Sequence, residues 1–157
     1  MPFVPEDFQI PATLLHPLFR LRMLRAADAQ ADYEAVMASQ ARLRAGSPHG
    51  WPRPGFTLAE NMADLERHER EFHDRVAFAY TVLTPDESTV VGCVYINPCS
   101  LAETDPALMA DVYLWVRDEH HPLLTRVLFE AVGEWLASRW PFERVRYVRT
   151  EYYLEGD

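Results

Sequence analysis

The stretch DVYLWVRDEHHPLLTRVLFEAVGEWL, Asp111 to Leu136, passes from a strand pattern to a helix pattern through a short charged turn. Side chains alternate across a strand. In Ala110 to Val116, therefore, Asp111, Tyr113 and Trp115 share one face and Val112, Leu114 and Val116 the other. The apolar residues Leu123, Leu124, Val127, Leu128, Ala131, Val132, Trp135 and Leu136 form one broad helical stripe. Trp140-Pro141 ends that helix, because a residue preceding proline is driven out of the helical region. The aliphatic strand face is expected to pack under the helix, which leaves the mixed face looking into a cleft on the other side. The turn between them, Arg117 to Pro122, holds two histidines and no glycine.

Working outward, VAFAYTVLT and TVVGCVYIN flank PDES, a proline-led turn that makes a hairpin. Before the hairpin, Thr57 with Glu60 three residues on forms a capping box, opening a helix with an expected seam of Leu58, Met62, Leu65 and Phe72. The turn-dense segment GSPHGWPRPG, Gly46 to Gly55, separates it from an alanine-rich helix, RAADAQADYEAVMAS, whose Ala29, Tyr33, Val36 and Met37 share a face. FRLRML, Phe19 to Leu24, alternates as a half-buried strand does, and residues 1–18, with four prolines, read as an irregular lead-in. RVRYV, Arg144 to Val148, is a last strand followed by a short tail, 149–157. The order is β-α-α-β-β-β-α-β. The expected fold is α/β (α+β): one domain, 1–157, with a mixed, mostly antiparallel sheet of about five strands flanked by helices. Its final strand–helix–strand crossover should be parallel and right-handed.

Composition narrows the partners. Fifteen basic against 24 acidic residues give a net charge of −9, which repels phosphate backbones and argues against nucleic acid as a partner. A cationic small molecule or a basic peptide is the easier partner to attract. No apolar run approaches membrane length, and the N-terminus has no apolar core of a signal peptide. Cys93 and Cys99 lie six residues apart along one extended segment, roughly 20 Å at ~3.3 Å per residue, so they cannot pair with each other. They read as buried fillers, and the chain as a soluble cytoplasmic protein.

This order and several phrases resemble the GCN5-related N-acetyltransferase (GNAT) superfamily, in particular its ribosomal-protein-acetylase-like branch. FRLRMLRAADAQADYEAVM is similar to that branch's opening strand and helix, VVGCVYI to its third strand and ADVYLWVR to its fourth. The likeness runs from about Phe19 to Val148. It implies acetyl-CoA as donor and an amine of a small molecule or peptide as acceptor; no metal is expected from the spacing of the histidines. It also implies a diphosphate seat at the end of the fourth strand and the front of the next helix: Leu114, Trp115, Val116, Arg117, His121, Leu123 and Leu124. Here the family's glycines are absent. Asp118 and Glu119 bring like charge toward the anion, which Arg117, or His120 and His121 if protonated, would offset. The family also continues past the fifth strand and often supplies a tyrosine acid there, whereas this chain has only Tyr152 and Tyr153 downstream. The RVRYV edge is therefore expected to take a partner strand, as a homodimer, or the tail folded back.

For acetyl transfer, Asp111 is the candidate to bind or deprotonate an ammonium group, and Tyr113 the candidate to orient the substrate or protonate a thiolate. A solvated strand-start acid and a structural tyrosine are the plain alternatives. HEREFH, His68 to His73, places its histidines about 140° apart around a helix, unlike a zinc motif, and reads as a solvated face. HGWPRPGF either lines an acceptor pocket or tucks Trp51 and Phe56 into the core. Two functions follow: an acyl-CoA-dependent N-acyltransferase, or an inactive scaffold of the same fold serving as a dimeric or ligand-binding module.

Overall fold

A computed structural model describes residues 2–47, 49–99 and 109–148. Among these residues six strands form one sheet in sequence order: β1 (Thr13–His16), β2 (Phe19–Met23), β3 (Phe78–Leu83), β4 (Val90–Pro98), β5 (Met109–Val116) and β6 (Arg144–Tyr147). Neighbours are antiparallel except β5 and β6, which run parallel as the crossover predicts. Between β2 and β3 lie α1 (Ala29–Ala38), α2 (Gln40–Gly46) and α3 (Leu58–His73); α4 (Leu123–Arg139) joins β5 to β6. The Ser100 to Pro106 loop and the tail with Tyr152 and Tyr153 fall outside the described residues.

The expected lead-in hides a strand. Thr13–His16 pairs with β2 from Thr13↔Arg22 to His16↔Phe19, giving six strands instead of about five. Its four residues carry adjacent leucines and no alternation, so period-two reading has nothing to detect. The lead-in before β1 also belongs to the core: Phe3 and Val4 are buried, and the Tyr80 hydroxyl donates to the Pro11 carbonyl at 2.6 Å.

The sheet has two dressed faces. On one, Val112, Leu114 and Val116 pack with Leu128, Val132, Trp135 and Leu136 of α4, as the stripe predicts, whereas Leu123, at the helix front, is exposed instead of joining it. Full burial of each such side chain is worth roughly 1.5–3 kcal/mol, so this face anchors α4. On the other, Trp115 and Cys93 lie under Ala29, Val36 and Leu43 of the first helices and Leu65 of α3.

The capping box at Thr57 and Glu60 forms as expected, with the Glu60 amide donating to Thr57 Oγ1 at 3.2 Å. Two helix faces differ from expectation. In α3, Leu58 and Met62 are exposed, and Asn61, Leu65 and Phe72 face inward instead. In α1, Asp32 and Ala35 are buried beside Ala29 and Val36. Each helix turns polar residues, Asp32 and Asn61, toward the other, and hydrophobic spacing alone passes over such a contact.

Gly92 is required by close approach rather than by a turn. A Cβ there would lie 2.2 Å from the backbone oxygen of Trp115 in β5.

Candidate active site

The mixed face of β5 opens on a cavity of about 620 Å³ between the sheet and α1 and α3. Asp111 and Tyr113 line it from β5, Tyr95 and Asn97 from β4, and Arg146 from β6. Asp32, Asn61, Asp64 and His68 line it from the helices, and His49 and Trp51 from the preceding loop. Of the two readings of HGWPRPGF, the structure takes one residue for each. Phe56 is buried, and Trp51 walls the cavity with its ring 6.3 Å from Trp115.

Asp111 is not a loose strand-start acid. Parallel register sets it opposite Arg146, whose Nε and Nη2 donate to Oδ1 and Oδ2 at 2.9 and 2.6 Å. This bidentate pair ties β6 to β5 beside the cavity. Tyr113 is half-buried, and its ring stacks on Tyr95 at 6.0 Å with 14° between planes. Trp115 is buried and donates from Nε1 to the Tyr95 hydroxyl at 3.2 Å, so it stiffens the cavity wall from behind.

The sequence reading passed over two groups here. Asp32 is 4% exposed and accepts a hydrogen bond from Asn61 Nδ2 at 2.9 Å. Burial, opposed by the Asn61 hydrogen bond and helped by the like charges of Asp28 and Asp64, raises its carboxyl to about 6. His68, expected on a solvated face, packs its ring 5.2 Å from Tyr95. Burial first, and then the positive charge of Arg67, lowers it to about 4, so it is neutral at physiological pH. Among the described residues, no group of three or more His, Cys, Asp or Glu side chains could hold a metal ion.

At its far end β5 leads to the candidate diphosphate seat. The Arg117 amide donates to Val91 O at 2.8 Å, so the alternation of an antiparallel ladder turns the peptide groups of Leu114 and Val116 away from β4. The turn Asp118 to His120 is a short 3-10 segment whose amides are largely committed. The Asp118 amide donates to Ser39 Oγ at 2.8 Å, His120 to Arg117 O at 2.9 Å, and His121 to Asp118 O at 3.1 Å. What remains is the first turn of α4, Leu123, Leu124 and Thr125, where Pro122 as N-cap gives no side-chain hydrogen bond.

The acids of this turn do not stand alone. Arg42 of α2 pairs with the Asp118 carboxylate and also donates to the Val116 carbonyl oxygen. Arg117 pairs with Glu119 at 2.9 Å. The repulsion expected of Asp118 and Glu119 is thus offset by two arginines, and the histidine at 121 is not needed for it. His121 Nδ1 lies 2.8 Å from Thr125 Oγ1, and burial, with Arg42 and Arg126 nearby, lowers its pKa. The donors left to face an anionic diphosphate are the uncapped amides at the positive end of a long helix, beside acids that Arg42 and Arg117 already neutralise.

The sheet, its parallel β5–β6 crossover and the cleft on the mixed face give the chain a fold similar to that of solved acetyltransferases. Several of these solved neighbours are ribosomal-protein acetyltransferases, and another is a microcin self-immunity acetyltransferase. A putative ribosomal-protein-serine acetyltransferase from Vibrio cholerae superposes with a TM-score of 0.67 at 20% identity, over 90% of this chain and 73% of that one. Mycobacterium smegmatis RimJ, in complex with a CoA disulfide, gives 0.68 at 17% identity over 87% and 67%. RimL, a ribosomal alpha-N-protein acetyltransferase in complex with coenzyme A, gives 0.67 at 16% over 84% and 71%. No family model and no curated protein matches the chain.

Proposed function

We propose that the protein is an acyl-CoA-dependent N-acyltransferase, moving an acetyl group from acetyl-CoA to a primary amine of a small molecule or basic peptide. One observation carries the reading. A single strand, β5, has the acidic, ring-walled cavity on its mixed face and the uncapped front of a 17-residue helix beyond its end. Donor and acceptor would meet along that strand. Neighbours that act on ribosomal proteins, whose substrates are peptide amines, make a peptide acceptor reasonable.

Bound acetyl-CoA supplies the acyl group as a thioester. The chain would hold that donor's phosphates at the amides of Leu123 and Leu124, with Arg117 and Arg42 neutralising Glu119 and Asp118 and with Leu114, Trp115, Val116 and His121 shaping the seat. Tyr113 and Tyr95 orient the acceptor, and the Asp111–Arg146 pair keeps β6 in register beside it.

The second reading, a scaffold that keeps the fold as a dimeric or ligand-binding module, draws on the committed amides of Asp118, His120 and His121. Acetyl transfer to a panel of peptide and small-molecule amines, followed by mass spectrometry, separates the two. Acetylated product supports the enzyme; acetyl-CoA consumed no faster than in buffer leaves the scaffold. We also infer a cytoplasmic setting, suited to two free buried thiols, and a homodimer through the β6 margin of the sheet. Fractionation and light scattering test these.

A further inference from the structure

Asp32 is a buried acid with no counter-ion among the described residues. It lines the cavity and accepts a hydrogen bond from Asn61, which is itself 1% exposed and donates to the Ala29 carbonyl at 3.2 Å. No arginine, lysine or histidine pairs with Asp32 among the described residues. The charged neighbours that bear on it are Asp28 and Asp64, both of its own sign. Facing it from β4 are Cys93 and Tyr95. By contrast, Asp28 has Arg22 at 2.7 and 2.8 Å, and Asp111 has Arg146. A carboxylate kept in such a place costs stability unless something positive joins it. The same cavity is walled by flat rings, Trp51, Tyr95 and Tyr113, and by the unprotonated ring of His68.

We propose that this cavity binds an organic cation, with a primary ammonium group seated on Asp32 and a flat or apolar body lying among Trp51, Tyr95 and Tyr113. The inference rests on the transferase reading for its meaning, since the cation would then be the acceptor. The site itself is defined without the donor. Asn61 is a positioning residue: it fixes one carboxylate oxygen and leaves the other for the ammonium. Rings stabilise a cation across their faces as well as excluding water from the ion pair. The ammonium is supplied either by a free amine or by a peptide N-terminus, and the two differ in how much chain must follow it.

The test is binding without acetyl-CoA, followed by calorimetry and by the NMR signal of the Asn61 side-chain amide. The probes are 2-phenylethylammonium against its neutral counterpart 2-phenylethanol, and seryl-phenylalanine amide against its N-acetylated form. The expected result is at least about ten-fold tighter binding of one cation or the other than of its neutral partner, with the Asn61 signal moving only for the cation. In Asp32→Asn the preference should collapse to within about two-fold, while Asp64→Asn should retain most of it. Should Asp32→Asn fail to fold, the Asn61 signal in the wild-type protein decides. Equal binding of charged and neutral partners, no binding of either, or an undiminished preference in Asp32→Asn would overturn the proposal. A cation preference in a protein that takes no acetyl-CoA would remove the transferase reading and leave this site standing.

Discussion

Replacing Asp32 by asparagine should make the protein more stable at neutral pH, and the gain should depend on pH. Asp32 is buried and faced by Asp28 and Asp64, and its one partner is the neutral Asn61. Its carboxyl therefore holds its proton up to about pH 6 in the folded chain, against 3.8 in the unfolded one. Between those values the folded state binds more protons, so this group's contribution to stability falls as pH rises and is fully lost above about pH 6. At roughly 1.4 kcal/mol per pH unit, the ionised carboxylate opposes folding by about 3 kcal/mol at pH 7. The amide's weaker hydrogen bond with Asn61 returns about 1 kcal/mol of that. A net gain of about 2 kcal/mol raises Tm by about 4–8 °C for a chain of this length. His68 has the opposite slope: lowered to about 4, it resists a proton that the unfolded chain takes up below 6.5, so stability falls as the solution is acidified. Both proteins share that effect, and it cancels in their difference. Calorimetric melts of wild type and Asp32→Asn from pH 4 to 8 should show no gain at pH 4 and a gap opening through pH 6. A gap independent of pH, or a variant less stable at pH 7, would refute the picture of an uncompensated buried charge.

Gly92→Ala should cost about 2–4 kcal/mol, read as a lowered denaturation midpoint, because the added methyl must push β4 off the Trp115 carbonyl. An unchanged midpoint would mean that the two strands are not so closely apposed. Arg42→Ala should weaken acetyl-CoA about ten-fold in a calorimetric titration, since it leaves the Asp118 carboxylate beside the diphosphate without its guanidinium. Undiminished affinity would move the donor away from this turn. Arg146→Ala should speed amide exchange in Arg144–Tyr147 while leaving β3 protected, because β6 loses its bidentate tie to Asp111. Equal protection in both proteins would show that β6 is held by other contacts.

Much of the architecture was legible because it rests on local rules. The alternation of Val112, Leu114 and Val116, the stripe from Leu124 to Leu136, the proline-led hairpin turn and the Thr57 capping box each name one element, and each element is present. The strand at Thr13–His16 was not legible, since four residues with paired leucines have no period to read. At the candidate site, the cleft on the mixed face of β5 follows from alternation, but what surrounds each side chain there is long-range. Asp111 looked available because nothing nearby in sequence reveals that parallel register brings Arg146 opposite it. Asp118 and Glu119 looked repulsive because Arg42 lies far upstream. Asp32 and Asn61 were missed for a different reason: polar residues on helices are assigned to solvent unless their helices are known to face each other. A buried pair of this kind leaves one faint trace, an apolar face interrupted at the same level in two helices.

The account stands or falls on the front of α4 gripping an anionic nucleotide. Titration of the isotope-labelled protein with acetyl-CoA addresses this directly, with calorimetric heat giving affinity and backbone amide shifts giving position. Saturable micromolar binding is predicted, with the largest shifts at Leu123, Leu124 and Thr125 and a Tm that rises with ligand excess. Folded protein that gives no heat and no shift at millimolar acetyl-CoA, or shifts confined to other elements, would contradict it.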